Sequence, residues 1–171
     1  MSQFDRLHGE LQEGGFSEHI PTATKPQPPG FMVSDFGTEQ KIPSHLNTSQ
    51  MMKAYAVDKG LTSAPPGENM GGWPEKGEDY LDVSRKYPDQ SRGMVAMTFQ
   101  NQKAMYDLSK PHDAPGAYIS NPDFDADYTV EEHERRIASG GPIIPTWIRP
   151  SRESRIQLRS LGRPKLPGGP Q

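Results

Sequence analysis

The stretch LTSAPPGENMGGWPEKGEDYLDVSRKYP, residues 61–88, decides how this chain is read. Pro65-Pro66-Gly67, Gly71-Gly72-Trp73-Pro74 and Tyr87-Pro88 cut it into short pieces. Proline cannot donate to a sheet ladder, and glycine weakens a strand interior. The stretch therefore reads as loop. Elsewhere no segment alternates cleanly enough for a strand. Gly141-Pro142-Ile143-Ile144-Pro145-Thr146-Trp147-Ile148 is apolar and β-branched, yet its two prolines limit it to edge or extended pairing. Little or no sheet is expected on this reading.

Working outward, four segments carry helical patterns. Near 3–12, Phe4, Leu7 and Leu11 share one face and Gly14-Gly15 stops the helix. At 49–59, Thr48 or Ser49 caps a narrow stripe of Met51, Met52 and Tyr55, and Gly60 suits the left-handed C-terminal position. The longest pattern runs over 90–109, capped by Asp89 or Ser91 and ended by Lys110-Pro111. Met94, Met97, Met105 and Leu108 lie along one side, and Asn101 and Gln102 interrupt the stripe. At 130–138, Thr129-Val130-Glu131-Glu132 matches a capping box, with Val130 and Ile137 as a thin apolar face. A last short helix is expected over Arg152–Leu161. The expected organisation is an extended Pro/Gly-rich arm over 1–88 with helices near 3–12 and 49–59. A helical segment over 89–141 (helices near 90–109 and 130–138) and a Pro-rich basic tail over 142–171 follow it.

Composition points the same way. Gly and Pro number 35 of 171 residues and Leu, Ile, Val and Phe only 28, against the apolar share of ordinary domains. Apolar burial contributes about 25 cal/mol per Å², while ordering the backbone costs roughly 1–2 kcal/mol per residue. With so few aliphatics the expected fold class is mainly irregular and extended, with four or five short helices, no single globular core and disorder when free. The chain holds no cysteine, which removes disulfides, thiolate zinc sites and thiol nucleophiles. The N-terminus has no apolar signal-peptide core, and no apolar run approaches the roughly 20 residues of a membrane span. An intracellular protein without membrane contact is expected, and Asn47-Thr48-Ser49 reads as a helix cap instead of a glycosylation site.

Charge is uneven. From residue 148 onward six basic residues face one acid, Glu153, a balance of +5 that leaves −8 for the rest of a chain whose net charge is −3. Arg152, Arg155 and Arg159 recur at helical spacing, and with Arg149 they suit an acidic protein surface. Nucleic acid fits less well, because the tail has no interleaved aromatics for base stacking.

Several constellations invite chemistry. Asp123, Asp125, Asp127, Thr129, Glu131 and Glu134 occupy positions 1, 3, 5, 7, 9 and 12 of a twelve-residue window, a spacing that resembles the calcium loop of EF-hands. Tyr128 stands where that loop needs glycine, Asn121-Pro122 precludes a normal entering helix and no second such loop exists for pairing, so these residues read instead as turn and helix-start chemistry. The five histidines are dispersed, and no nucleophile elbow or phosphate-cradling glycine loop occurs. No cofactor, no metal and no enzymatic activity are expected. Trp73 and Trp147, each on a stiff Pro/Gly segment, read as partner anchors, the alternative being that both rings cover the 90–109 helix.

The functional expectation is a non-enzymatic structural protein that lies extended across subunits of a large assembly and staples them, without forming a homo-oligomer of its own. A microtubule inner protein of ciliary doublets is one such role, with the axoneme as location and acidic tubulin as partner. A virion or other large-complex accessory subunit is the alternative, and a small calcium-binding or inhibitor module is the contrasting class.

Overall fold

The computed structural model describes residues 1–140. Helix α1 (Gln3–Glu13) starts at a capping box, in which the Ser2 hydroxyl accepts from the Asp5 amide and the Asp5 carboxylate from the Ser2 amide. As its spacing predicts, Phe4, Leu7 and Leu11 are buried. Strands β1 (Phe16–Glu18), β2 (Phe31–Ser34) and β3 (Gln40–Pro43) precede helix α2 (Ser49–Asp58). Thr48 caps α2, and Met52, Tyr55 and Ala56 are its buried residues, while Met51 turns outward. A 3-10 turn at Leu61–Ser63 leads into β4 (Glu68–Glu75) and β5 (Glu78–Tyr87). Helix α3 (Gln90–Phe99), β6 (Ala104–Asp107), β7 (Tyr118–Ser120) and helix α4 (Val130–Ser139) complete the described chain.

The expectation of little or no sheet is overturned. The described residues form one seven-stranded antiparallel sheet in the order β1-β4-β5-β2-β6-β7, with β3 also on β5. Its centre is the hairpin β4–β5, which lies inside the stretch read as loop. Eight residue pairs register from Glu68↔Arg85 to Glu75↔Glu78. Lys76 and Gly77 form the connection, both with positive φ, as a two-residue type I′ turn requires. The two glycines read as breaks are sites of close approach. A Cβ on Gly72 would sit 2.4 Å from Phe16 Cε1, and one on Gly71 2.2 Å from Asp82 Oδ1. Pro74 stands one pair from the turn, where a lost donor matters least.

The expected helix over 90–109 ends at Phe99. Asn101 takes positive φ (48°), and the amides of Asn101 and Gln102 donate to the carbonyls of Thr98 and Met97. This is a Schellman stop with asparagine in the left-handed position. Residues 104–107 then pair with β2, so strands from both halves of the chain share the sheet.

The expected lack of a core is corrected too. One buried cluster joins Leu7, Leu11, Met52, Tyr55, Leu61, Met70, Leu81 and Val83 beneath α1 and α2. A second joins Val33, Met94, Met97 and Met105 beneath α3. Methionine supplies what the aliphatic count omits, because its flexible thioether fills gaps as a hydrophobe does. Buried polar side chains supply the rest of the interior. Glu18, fully buried, accepts two 2.7 Å bonds from Arg6 and one from Gln3. Asp79, also fully buried, accepts from Ser44, Asn47 and Gln12. Partnered in this way, such groups avoid the desolvation penalty of an unmet charge.

Candidate functional site

Side chains alternate along a strand, and that rule sorts the sheet into two faces. Leu81 and Val83 belong to the cluster under α1 and α2, and Val33, level with Arg85, belongs to the cluster under α3. The buried residues of α1, α2 and α3 therefore all pack on one face. The other face carries Asn69, Gly71 and Trp73 from β4, Tyr80, Asp82 and Ser84 from β5, and Met32 and Ser34 from β2. Tyr106 of β6 and Tyr118 of β7 extend it, by register.

Two features mark this face. The first is aromatic. Trp73 and Tyr80 are directly opposite in the hairpin, and their rings stack with centroids 4.2 Å apart and planes 7° apart. Lys41 on β3 flanks Tyr80 from the other side, its Nζ 5.7 Å from the ring centre and 3.7 Å from Glu78. Tyr106 and Tyr118 pair at 5.3 Å toward the far edge, with Tyr118 half exposed.

The second feature is Asp82, buried in the floor. Ser34 Oγ donates to Oδ2 at 2.7 Å, but Oδ1 has no hydrogen-bond partner and neither has Ser84 Oγ. Burial pushes the Asp82 carboxyl up to about 6; the Ser34 bond opposes this, the Glu39 charge adds to it, and the Trp73 indole opposes it again. The carboxyl is thus held near Trp73 with one oxygen packed against the Cβ-less Gly71. Oδ1 is closed to solvent. The face thus sets stacked aromatic surface beside a buried carboxyl.

Of the residues singled out in the sequence, Trp73 falls on this face. It lies across the sheet from α3 and stacks on Tyr80. Trp147, Arg149, Arg152, Arg155 and Arg159 lie outside the described residues, as do the helix expected over 152–161 and the tail. Tyr80, Lys41 and Tyr118 were missed. The alternation of Leu81 and Val83 with Tyr80, Asp82 and Ser84 was the signal that could have placed Tyr80 beside Trp73.

The acidic window is spent on local structure. Asn101 Oδ1 accepts from the Asp125 amide at 2.9 Å and its Nδ2 donates to the Asp125 carbonyl at 2.8 Å. Asp125 Oδ1 accepts from the Asp127 amide, and Thr129 with Glu132 forms the expected capping box of α4. Among the described residues no three His, Cys, Asp or Glu side chains converge as a metal site would need. No helix there is long and apolar enough to cross a membrane.

Helix α4 buries none of its residues, and its expected apolar face, Val130 and Ile137, is exposed. Two polar side chains dock it instead. The His133 ring lies 4.5 Å from Phe36 and its Nδ1 is 3.1 Å from the Tyr128 hydroxyl. Arg136 covers the Tyr128 ring at 4.1 Å and donates to the carbonyls of Thr98 and Phe99 at the end of α3.

Compared with protein-family models, with curated proteins and with solved structures, the chain matches none.

Proposed function

We propose that the chain is a non-enzymatic protein-binding module, an accessory subunit of a larger assembly, whose partner seats on the Trp73–Tyr80 face of the sheet. The stack carries this reading. Two large rings are pre-ordered on a tight hairpin, on the face opposite the three packed helices. Rings already fixed in place lose little entropy on binding, and Trp and Tyr dominate the energetics of many interfaces. Stapling by an extended backbone depended on a chain without a core. Docking through one face of a folded domain takes its place. The basic residues Arg149, Arg152, Arg155 and Arg159 serve as a second contact, toward an acidic partner surface. A ciliary doublet microtubule and a virion shell are two assemblies that could offer one.

The test is site-specific cross-linking followed by affinity measurement. A photoreactive phenylalanine analogue at position 80 is expected to capture a partner in the native source that the same group at exposed Val57 on α2 does not. With that partner purified, Trp73→Ala should weaken binding by about 2 kcal/mol, roughly 30-fold, while a cooperative unfolding transition is kept. Equal capture from position 57, or wild-type affinity in the folded Trp73→Ala variant, refutes the assignment.

A further inference from the structure

The apolar groove along α3 is a separate feature of the fold. It has a volume of about 460 Å³ and is walled by Tyr87, Val95, Ala96 and Phe99, with Arg92 and Gln100 also lining it. Val95 and Phe99 are only half-buried there, although Met94 and Met97 of the same helix face the core. Helix α4 is tied to one wall of this groove. Arg136, one turn before Gly140, is bonded to the Thr98 and Phe99 carbonyls at 3.0 and 2.9 Å. Gly140, in the left-handed conformation, closes α4, and the sequence continues directly into Pro142-Ile143-Ile144-Pro145-Thr146-Trp147-Ile148.

We propose that residues 142–148 of this chain are the occupant of the α3 groove. Three observations select them over another protein. They are the apolar stretch that follows the described chain, whose last helix is tied through Arg136 to the carbonyl of Phe99, a residue that lines the groove. Their reach fits. Seven extended residues span at most ~25 Å, and the ten residues of α3 about 15 Å. Tethering also favours them, since a segment a few residues from its seat acts at an effective concentration on the order of millimolar. In that seat Ile143, Ile144 and Trp147 would meet Val95 and Phe99. So seated, the segment would have the arginines from Arg149 onward leave the domain at a fixed place, on a body whose own net charge is −8 against +5 for the tail. The groove and the Trp73–Tyr80 face are separate surfaces. With the groove so filled, Trp147 would be a packing residue of the domain and Trp73 the ring offered to a partner.

The chain has no cysteine, so a single engineered pair reports on the seat. In the full-length protein at micromolar concentration, Val95→Cys with Ile144→Cys should close an intramolecular disulfide at least ten-fold faster than Val57→Cys with Ile144→Cys. As an independent readout, Trp73→Phe leaves Trp147 as the sole tryptophan. Its emission should be blue-shifted and should move red when Val95→Asp is added. Disulfide formation no faster than the control overturns the proposal, as does a 95–144 product that is a dimer, which would make a second copy the occupant. Emission at the wavelength of free tryptophan also overturns it.

Discussion

Replacing Asp82 by asparagine tests the reading of the sheet floor directly. A carboxyl ordinarily near 3.8 is pushed to about 6 here, burial being the main cause. Each pKa unit corresponds to 1.36 kcal/mol, so an ionised Asp82 lowers the stability of the folded state by on the order of 3 kcal/mol. The sign follows from linkage. The folded pKa is raised, so the contribution of Asp82 to stability is fully present below about 3.8. It is lost as pH rises toward about 6 and stays lost above that. Asparagine cannot ionise and has the same shape. It places an amide N–H where Oδ1 now packs against Gly71, and an unmet buried donor costs about 1–2 kcal/mol. Asp82→Asn is therefore expected to stabilise the protein at pH 7.5 by about 1–2 kcal/mol, a rise of roughly 3–6 °C in Tm for a domain of this size.

The assay is urea or thermal unfolding of wild type and variant between pH 3.5 and 8. The stability difference between the two is the quantity compared, because it removes carboxylates held below their usual range, such as Glu10 and Asp107, which are common to both. The variant should be the less stable protein at pH 3.5 and the more stable one above pH 6. A difference that does not change with pH refutes the argument, because it would mean that Asp82 titrates alike in the folded and unfolded chain.

Three further outcomes follow from named contacts. Asn101→Ala should cost about 2–3 kcal/mol, since it removes both bonds to Asp125 and puts a Cβ-bearing residue with no polar group in the left-handed region; Asn101→Gly should recover only the backbone part in denaturant titrations. Gly72→Ala should destabilise by about 1–3 kcal/mol through collision with Phe16, and a double-mutant cycle with Phe16→Leu should recover much of that loss; simple additivity would show that the collision is not the cause. Burial and the Arg136 charge hold His133 below its ordinary value, so docking of α4 is complete above about pH 6.5 and weakens as pH falls through the lower folded pKa. Hydrogen-exchange protection over 130–139, corrected for the intrinsic rate at each pH, should fall on acidification, as it should in Arg136→Ala at constant pH, with global stability little changed because α4 buries no residue.

The helices were legible because their signals are local. Thr48, Asp89 and Thr129 with Glu132 each satisfy backbone amides within one turn, so the starts of α2 to α4 need no knowledge of the rest of the fold, while α1 shows in the spacing of Phe4, Leu7 and Leu11. The end of α3 was written equally locally, in the interruption at Asn101 and Gln102. It was passed over because Met105 and Leu108 continue the helical spacing, and Met105 is in fact buried from a strand. The sheet was hidden for a different reason. Gly71, Gly72 and Pro74 are poor strand residues in isolation, and their fitness depends on Phe16, Asp82 and the turn at Lys76-Gly77, partners up to 56 positions away. Once the hairpin exists, those glycines are required by what lies across from them, and Trp73 is delivered onto Tyr80 as a consequence of register. The aliphatic count misled on the core because six of the eight methionines are buried and because Glu18 and Asp79 are fully partnered in the interior. A ring such as Trp73 can be picked out from the sequence by its chemistry. Whether it has a stacking partner, a carboxyl beneath it and a face opposite the packed helices is decided only by pairings between β4 and β5.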